Sequence, residues 1–320
     1  MPSHPAARTA PSNCSVFSAT LQEPLAGTAP VASAWLAIEQ PGPWGARALT
    51  QSHLDPEVGA ELSQRAEGIG LRIALIRRVG RHALTDPAAP RTALLCNTRP
   101  GVASVRAIKF ADPRELLDLD LGALGAGQLD EGERLTDPVM LVCTNGKRDQ
   151  CCAERGRALA LDLAQREAAR CGVESSAIID VWESDHLGGH RFAPTAVVLP
   201  TGYVYGRLDA DGALAALDAA RSGHVMAENA RGRSTWSRPG QAADLALRTE
   251  LQQFDADAVR VVAEERIEED SYAVELTVDD DTRYRATVQG TAASVARPES
   301  CGKALGNPIE LRVTELEKLP

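Results

Sequence analysis

The sequence predicts an α/β protein: a small mixed-sheet unit, a preceding α/β region and a C-terminal β-meander. Three observations predict it. Apolar runs of strand length stand at 71–77, 92–96 and 139–143, each bounded by polar or turn residues. After the third, Ala160, Leu163, Ala164 and Ala168 fall on one face of a helix over 154–170, and another apolar run follows at 177–181. Near the C-terminus, Tyr272, Val274, Leu276 and Val278 alternate with Ser271, Ala273, Glu275 and Thr277, the period of a half-buried strand.

In chain order, residues 1–13 are rich in Pro, Ala and Ser and are expected to be a disordered tail. They hold no apolar run of the kind a secretory signal needs, and no stretch reaches the roughly 20 apolar residues of a membrane span, so a cytoplasmic protein is expected. Residues 14–134 form the N-terminal α/β region. The apolar segment 31–39 ends at the turn cluster Gln40-Pro41-Gly42-Pro43-Trp44-Gly45, a helix is predicted over 55–68, and a further strand over 102–110. Residues 135–254 form the second unit. It has a buried strand at 139–143, the polar loop 144–150, the helix 154–170, a strand at 177–181, a hairpin of 196–199 and 203–205 around Pro200-Thr201-Gly202, and helices at 212–221 and 240–253. Residues 255–320 form an acidic β region, with 271–278 and 284–288 as strands around Asp279-Asp280-Asp281. No internal repeat is visible.

The 320 residues carry 34 Lys and Arg against 44 Asp and Glu, a net charge of −10. Such a balance argues against a nucleic-acid binder and against attachment to an anionic membrane, and 4% aromatics offer few stacking surfaces. Residues 255–281 hold eleven acids and two bases, so nearly all the net charge sits in that segment, where the wet side of a β-meander is the expected place for it.

Seven cysteines, an odd number, do not suggest a disulfide framework. Cys14, Cys96 and Cys171, each isolated in sequence, read as buried and inert thiols. Two other groups stand out. One is Cys143-Thr144-Asn145-Gly146-Lys147-Arg148-Asp149-Gln150-Cys151-Cys152; the other is His186-Leu187-Gly188-Gly189-His190. Both follow predicted strands, where α/β layers usually place ligand sites. Gly188-Gly189 disfavours a helix and suits a loop wrapped closely around something. Two thiolates and two imidazoles make a four-ligand set for a borderline or soft metal. A closed zinc site usually separates paired thiols by two to four residues, and neither gap here fits, whether Cys143 pairs with Cys151 or with Cys152. A [2Fe–2S] cluster tolerates wider loops and accepts two histidines in place of two cysteines.

The segments Leu141–Gly156 (LVCTNGKRDQCCAERG), Val181–Pro194 (VWESDHLGGHRFAP), Val197–Leu208 (VVLPTGYVYGRL) and Gly232–Trp236 (GRSTW) resemble the sucrase/ferredoxin-like family. Cys14, Gln40–Gly45 and Cys96–Gly101 (CNTRPG) add to the likeness, and Arg297–Gly302 (RPESCG) extends it into the tail. The resemblance implies a thioredoxin-like ferredoxin domain whose second Cys-x3-Cys pair is replaced by His186 and His190. It implies a bis-histidine, non-Rieske [2Fe–2S] cluster on Cys143, Cys152, His186 and His190, with Cys151 as the alternative to Cys152 and zinc as the alternative metal. A minor alternative brings Cys301 to the site as a ligand.

The role implied is electron transfer or redox sensing, with no substrate of the protein's own. A zinc-binding structural module and an oxidoreductase relaying electrons to a substrate are the other classes. Sucrase chemistry has no support in the residues: there is no Gly-x-Ser-x-Gly elbow and no defined carboxylate pair. A redox partner protein is expected to dock on the basic residues Lys147, Arg148, Arg155, Arg157 and Arg191, and a second basic stretch, Arg231, Arg233 and Arg238, is expected to join that surface.

Overall fold

A computed structural model describes residues 13–80, 89–172, 180–279 and 282–320. The tail at 1–12, most of the strand predicted at 177–181 and the acidic turn at 280–281 lie outside those residues.

The described residues open with a short helix, α1 (Cys14–Thr20), capped by the Asn13 side chain. Then follow β1 (Ala34–Glu39), α2 (Pro56–Arg65), β2 (Leu71–Arg78), β3 (Arg91–Asn97), β4 (Ser104–Phe110), α3 (Leu121–Ala126) and β5 (Glu133–Arg134). The second stretch holds β6 (Val139–Cys143), α4 (Arg157–Cys171), β7 (Val181–Ser184), β8 (Thr195–Leu199), β9 (Tyr203–Gly206), α5 (Ala210–Arg221) and β10 (Ala230–Arg233). The C-terminal stretch holds α6 (Arg238–Leu251), β11 (Val259–Glu268), β12 (Ser271–Val278), β13 (Thr282–Ala292), β14 (Arg297–Pro298), β15 (Leu305–Gly306) and β16 (Ile309–Lys318).

Ten strands form one sheet in the order β10-β9-β8-β6-β7-β2-β1-β3-β4-β5. The order conceals a duplication. In the first half, β1 is parallel to β2 across α2, antiparallel to β3, and β4 and β5 extend outward antiparallel. In the second half, β6 is parallel to β7 across α4, antiparallel to β8, and β9 and β10 extend outward in the same way. The halves meet at β2 and β7, which pair antiparallel through Ile76 and Ser184, Arg77 and Glu183, and Arg78 and Trp182. Each half therefore has the mixed-sheet arrangement that the sequence predicts only for residues 135–254. The repeat is one of topology. Buried apolar runs such as AWLAI and VMLVC need only apolar bulk, so their residues are free to differ.

Alternation along the strands sets the layers. Ala34, Leu36 and Ile38 of β1 pack with Val58 and Leu62 of α2 and Leu121 and Leu124 of α3. Met140 and Val142 of β6 pack with Leu159, Ala160 and Leu163 of α4 and Ala213 and Leu217 of α5. The intervening residues, Trp35 and Ala37 on β1 and Leu141 and Cys143 on β6, face a third core that spans both halves. Cys143 therefore points into the shared layer, under α1.

The C-terminal stretch is a four-stranded antiparallel sheet, β11-β12-β13-β16, closed on one face by Ala242, Ala243 and Leu247 of α6. The sequence predicts its two inner strands; β11 and β16 break the alternation with solvent-facing charges and are strands because β12 and β13 offer them hydrogen bonds. Most of β11 is exposed, as its run of glutamates requires. Between β13 and β16 the chain leaves the sheet as the two-stranded ribbon β14–β15, which carries Cys301 back to the large sheet. No helix among the described residues is long and apolar enough to cross a membrane.

Candidate metal centre

β6 delivers Cys143 at its buried end. The loop that follows is folded by Asn145, whose Oδ1 accepts from the Lys147 N–H at 3.0 Å and whose carbonyl accepts from the Asp149 N–H at 3.1 Å. Residues Cys152–Gly156 then form a π-helical turn before α4. Such turns widen a helix by one residue and are frequent at functional sites. Gly156 is required here: a Cβ on it would stand 2.0 Å from the Cys143 carbonyl oxygen, so only glycine lets the turn close on the strand end.

β7 delivers the second group. Gly188 and Gly189 have φ of +77° and +70°, and the chain then enters a short 3-10 turn, His190–Phe192. Two arginines hold this loop from behind. Arg72 of β2 donates to the His186 carbonyl at 2.9 Å, and the buried Arg231 of β10 donates to the Gly188 carbonyl at 2.9 Å. Asp185 accepts the Leu75 N–H of β2 at 3.0 Å.

The loops bring Cys143, Cys152, His186 and His190 together. Cys152 Sγ lies 3.2 Å from His190 Nδ1. The two imidazoles stack with centroids 4.8 Å apart, and donor atoms of Cys143, His186 and His190 lie within 4.8 Å of one another. His186 Nδ1 is buried without a hydrogen-bond partner, which is costly unless something else takes its lone pair or its proton.

The electrostatics suit cation binding. A hydrogen bond from Cys152, then bonds from the two histidines, hold Cys143 well below the usual thiol range against its burial, while Cys152 is pushed up by Cys143 and by burial. Burial lowers His186, keeping it neutral and able to ligate, and burial followed by the Cys143 charge raises Asp185 to about 7. Cys143, His186 and His190 come together with Cys152 against His190, and thiols with imidazoles fit a soft or borderline metal.

Cys151 faces elsewhere. Cys151 and Cys152 are consecutive helical residues, about 100° apart around the axis, and cannot aim at one point. Cys151 Sγ lies 3.7 Å from Cys14 Sγ of α1 and 3.3 Å from Cys301 Sγ of the ribbon, and the Cys14 and Cys301 sulfurs are 3.5 Å apart. Asp149 joins them. Its Oδ2 accepts from the Ser300 hydroxyl at 2.7 Å and the Cys301 N–H at 2.8 Å, and its Oδ1 accepts from the Cys151 N–H at 2.8 Å. A hydrogen bond from Cys14 brings Cys151 down to about 5, against its burial, while Cys14 is raised by the same contact and by burial.

Several expectations need correction. Cys14 is buried, as expected of an inert thiol, but sits within this group of sulfurs and not alone. Cys171 ends α4 exposed, while Cys96 is buried, as expected. Cys301 contacts Cys151 and Cys14, not the histidine-containing group. Arg231 and Arg233 do not join a basic surface: both are buried, Arg231 against the histidine loop and Arg233 on the carbonyls of Thr98 and Ala256, because β10 is drawn under α6. Asp149 and the convergence of Cys14 with Cys301 were missed. The adjacent Cys-Cys pair was the available signal, since neighbouring helical cysteines imply two destinations.

A cleft of about 380 Å³ opens on His186 and His190. Lys147, Arg148, Arg191 and Lys303 border it with Glu299 as counter-charge. Of the basic residues expected on a docking face, Lys147, Arg148 and Arg157 are exposed and Arg155 half-buried. Arg191 is largely spent on the buried Glu23, 2.7 Å away, which also pairs with Arg297 at 3.0 Å.

The model of the sucrase/ferredoxin-like family matches residues 25–232, about two thirds of the chain, and the chain belongs to that family. No curated protein and no solved structure matches it.

Proposed function

For this member of the sucrase/ferredoxin-like family we propose a [2Fe–2S] cluster held by Cys143, Cys152, His186 and His190, in a protein that exchanges single electrons with a partner. The observation that carries this reading is two thiols and two imidazoles brought together from separate loops, Cys143 with both histidines and Cys152 against His190, with an unsatisfied histidine nitrogen among them. The spacing of the ligands supports a cluster over a closed zinc site. When bound, the cluster supplies a one-electron couple whose potential depends on its ligands and their surroundings.

The chain's own residues set that potential and the direction of access. As ligands, Cys143 and Cys152 would place negative charge on the deep side, while imidazole ligation by His186 and His190 would add none at the cleft. Replacing thiolates by imidazoles raises the potential. An imidazole that ligates through one ring nitrogen keeps a second that can hold or release a proton to water in the cleft, so reduction is coupled to protonation. Arg72 and Arg231 fix the loop that presents both rings. Lys147, Arg148 and Lys303 at the rim favour an acidic partner, whose encounter is slowed by salt.

The test is the visible spectrum and metal content of anaerobically purified protein. Two irons per chain and a red-brown colour that bleaches on reduction are expected; a colourless protein without iron overturns the reading. With the cluster in place, the midpoint potential is expected to fall as pH rises from neutral to alkaline, and a flat profile removes the proton coupling.

A further inference from the structure

We propose that Cys14, Cys151 and Cys301, with Asp149, form a second metal site that binds one zinc ion, beside the centre at Cys143, Cys152, His186 and His190, which Asp149 also adjoins at Cys152 and His190. The three sulfurs form a nearly equilateral triangle with edges of 3.3, 3.5 and 3.7 Å. Sulfurs bound to one tetrahedral zinc at about 2.3 Å stand about 3.8 Å apart, so the triangle needs only a slight expansion to accept the ion. A disulfide uses two of the three sulfurs and requires about 2.05 Å between them, leaving the third thiol without a role.

Asp149 supplies the fourth donor. It lies with the sulfurs, 3.7 Å from Cys14 Sγ at its Oδ2. That oxygen already accepts two hydrogen bonds, from Ser300 and Cys301. Oδ1 accepts the Cys151 N–H and, at 3.9 Å, the Cys14 thiol, whose proton leaves when a cation binds and frees that lone pair. Asn13 Oδ1, the cap of α1, lies 3.2 Å from Cys151 Sγ and borders the same group. Cys14 and Cys151 are buried, whereas Cys301 is partly exposed, which gives the ion a way in. Binding displaces the thiol protons to solvent and involves no change of oxidation state. The site ties together the start of α1, the turn before α4 and the ribbon between β14 and β15, segments up to 287 positions apart in sequence.

The test is a zinc count and zinc K-edge absorption on the intact protein after dialysis, read beside the iron count. Expected are one zinc per chain and a shell of three sulfurs at about 2.3 Å and one oxygen at about 2.0 Å. Cys301→Ser and Cys14→Ser are each expected to lower bound zinc at least tenfold while visible absorption and iron are retained. Iron-loaded protein without zinc, a zinc shell containing imidazole nitrogen, zinc retained in both variants, or a Cys151–Cys301 disulfide found by mass spectrometry would each overturn the proposal. The wild-type zinc shell decides the matter even where a variant fails to fold. Zinc with this shell in a protein lacking iron would uphold the second site while removing the cluster, so the two readings fail independently.

Discussion

β1 and β6 occupy equivalent places in the two halves of the large sheet, yet β1 ends in Glu39 and β6 in Cys143. Glu39 accepts the Thr92 N–H at 2.9 Å, and the loop beyond it closes on itself through Trp44, whose indole N–H donates to the Gln40 carbonyl at 2.7 Å. The loop beyond Cys143 instead leads to Asp149, Cys151 and Cys152. Among the described residues, the first half gives nothing to the group of Cys143, Cys152, His186 and His190, but it braces the second: Gly45 accepts from the Asn145 side chain at 3.0 Å, and Arg72 and Leu75 hold the backbone of His186 and the carboxyl of Asp185. Two units of one topology thus differ in what they bring here, one the cysteines and histidines of this group and the other the wall behind them. Strand order is indifferent to chemistry; the residues at the strand ends decide it.

The comparison can be broken most severely at the ligands. Cys143→Ser or His190→Ala is expected to abolish iron retention, whereas Cys96→Ser in the first half leaves the iron-to-protein ratio unchanged; equal loss in all three would remove that difference. The seam is next. Arg77 of β2 and Glu183 of β7 are both buried and paired at 2.6 Å, and Glu183 also accepts from the Thr144 hydroxyl at 2.8 Å beside Cys143. Arg77→Met leaves that carboxylate buried without its cation and is expected to cost about 3–5 kcal/mol in denaturant unfolding. A smaller effect is expected for Arg72→Met, which removes the brace on the His186 carbonyl; iron affinity should fall about tenfold with stability little changed.

Acid provides the mildest test. Burial alone would raise Glu183, but Arg77, with the Gly80 N–H and the Thr144 hydroxyl, more than offsets it and holds the carboxyl below its usual value. A depressed carboxyl stabilises the fold above the unfolded value, near 4.5, and that contribution disappears as pH falls through the lower folded value. Melting temperature is therefore expected to drop below about pH 5, and this acid limb should shrink in Arg77→Met. An unchanged limb would place the acid sensitivity elsewhere, with Glu23 the next candidate, since Arg191 likewise offsets its burial.

Much of the second half was legible because its chemistry is local. The run at 139–143, the helical face of Ala160 and Leu163, and Gly188-Gly189 each name their structure within a few residues. What escaped was non-local. The duplication lies in pairing partners, which buried apolar strands do not encode individually. The triangle of sulfurs joins Cys14, Cys151 and Cys301, and no window of sequence contains all three. Arg231 and Arg233 look like surface charge until β10 is placed under α6, where guanidinium groups find carbonyls instead of water. β11 shows why a charged strand escapes alternation: its partner β12 supplies the ladder whichever way its side chains face.

The return of the ribbon to the turn before α4 has a consequence for how the chain is made. Synthesis runs from the N-terminus, and segments fold as they emerge. β1 through β10 can pair before Cys301 exists, because the ribbon follows all of them in the chain. The triangle of sulfurs therefore closes after the strands of the large sheet have been made, and until then Cys14 and Cys151 lack their third sulfur. A product truncated before the ribbon would retain the strands of the large sheet and lack this closure.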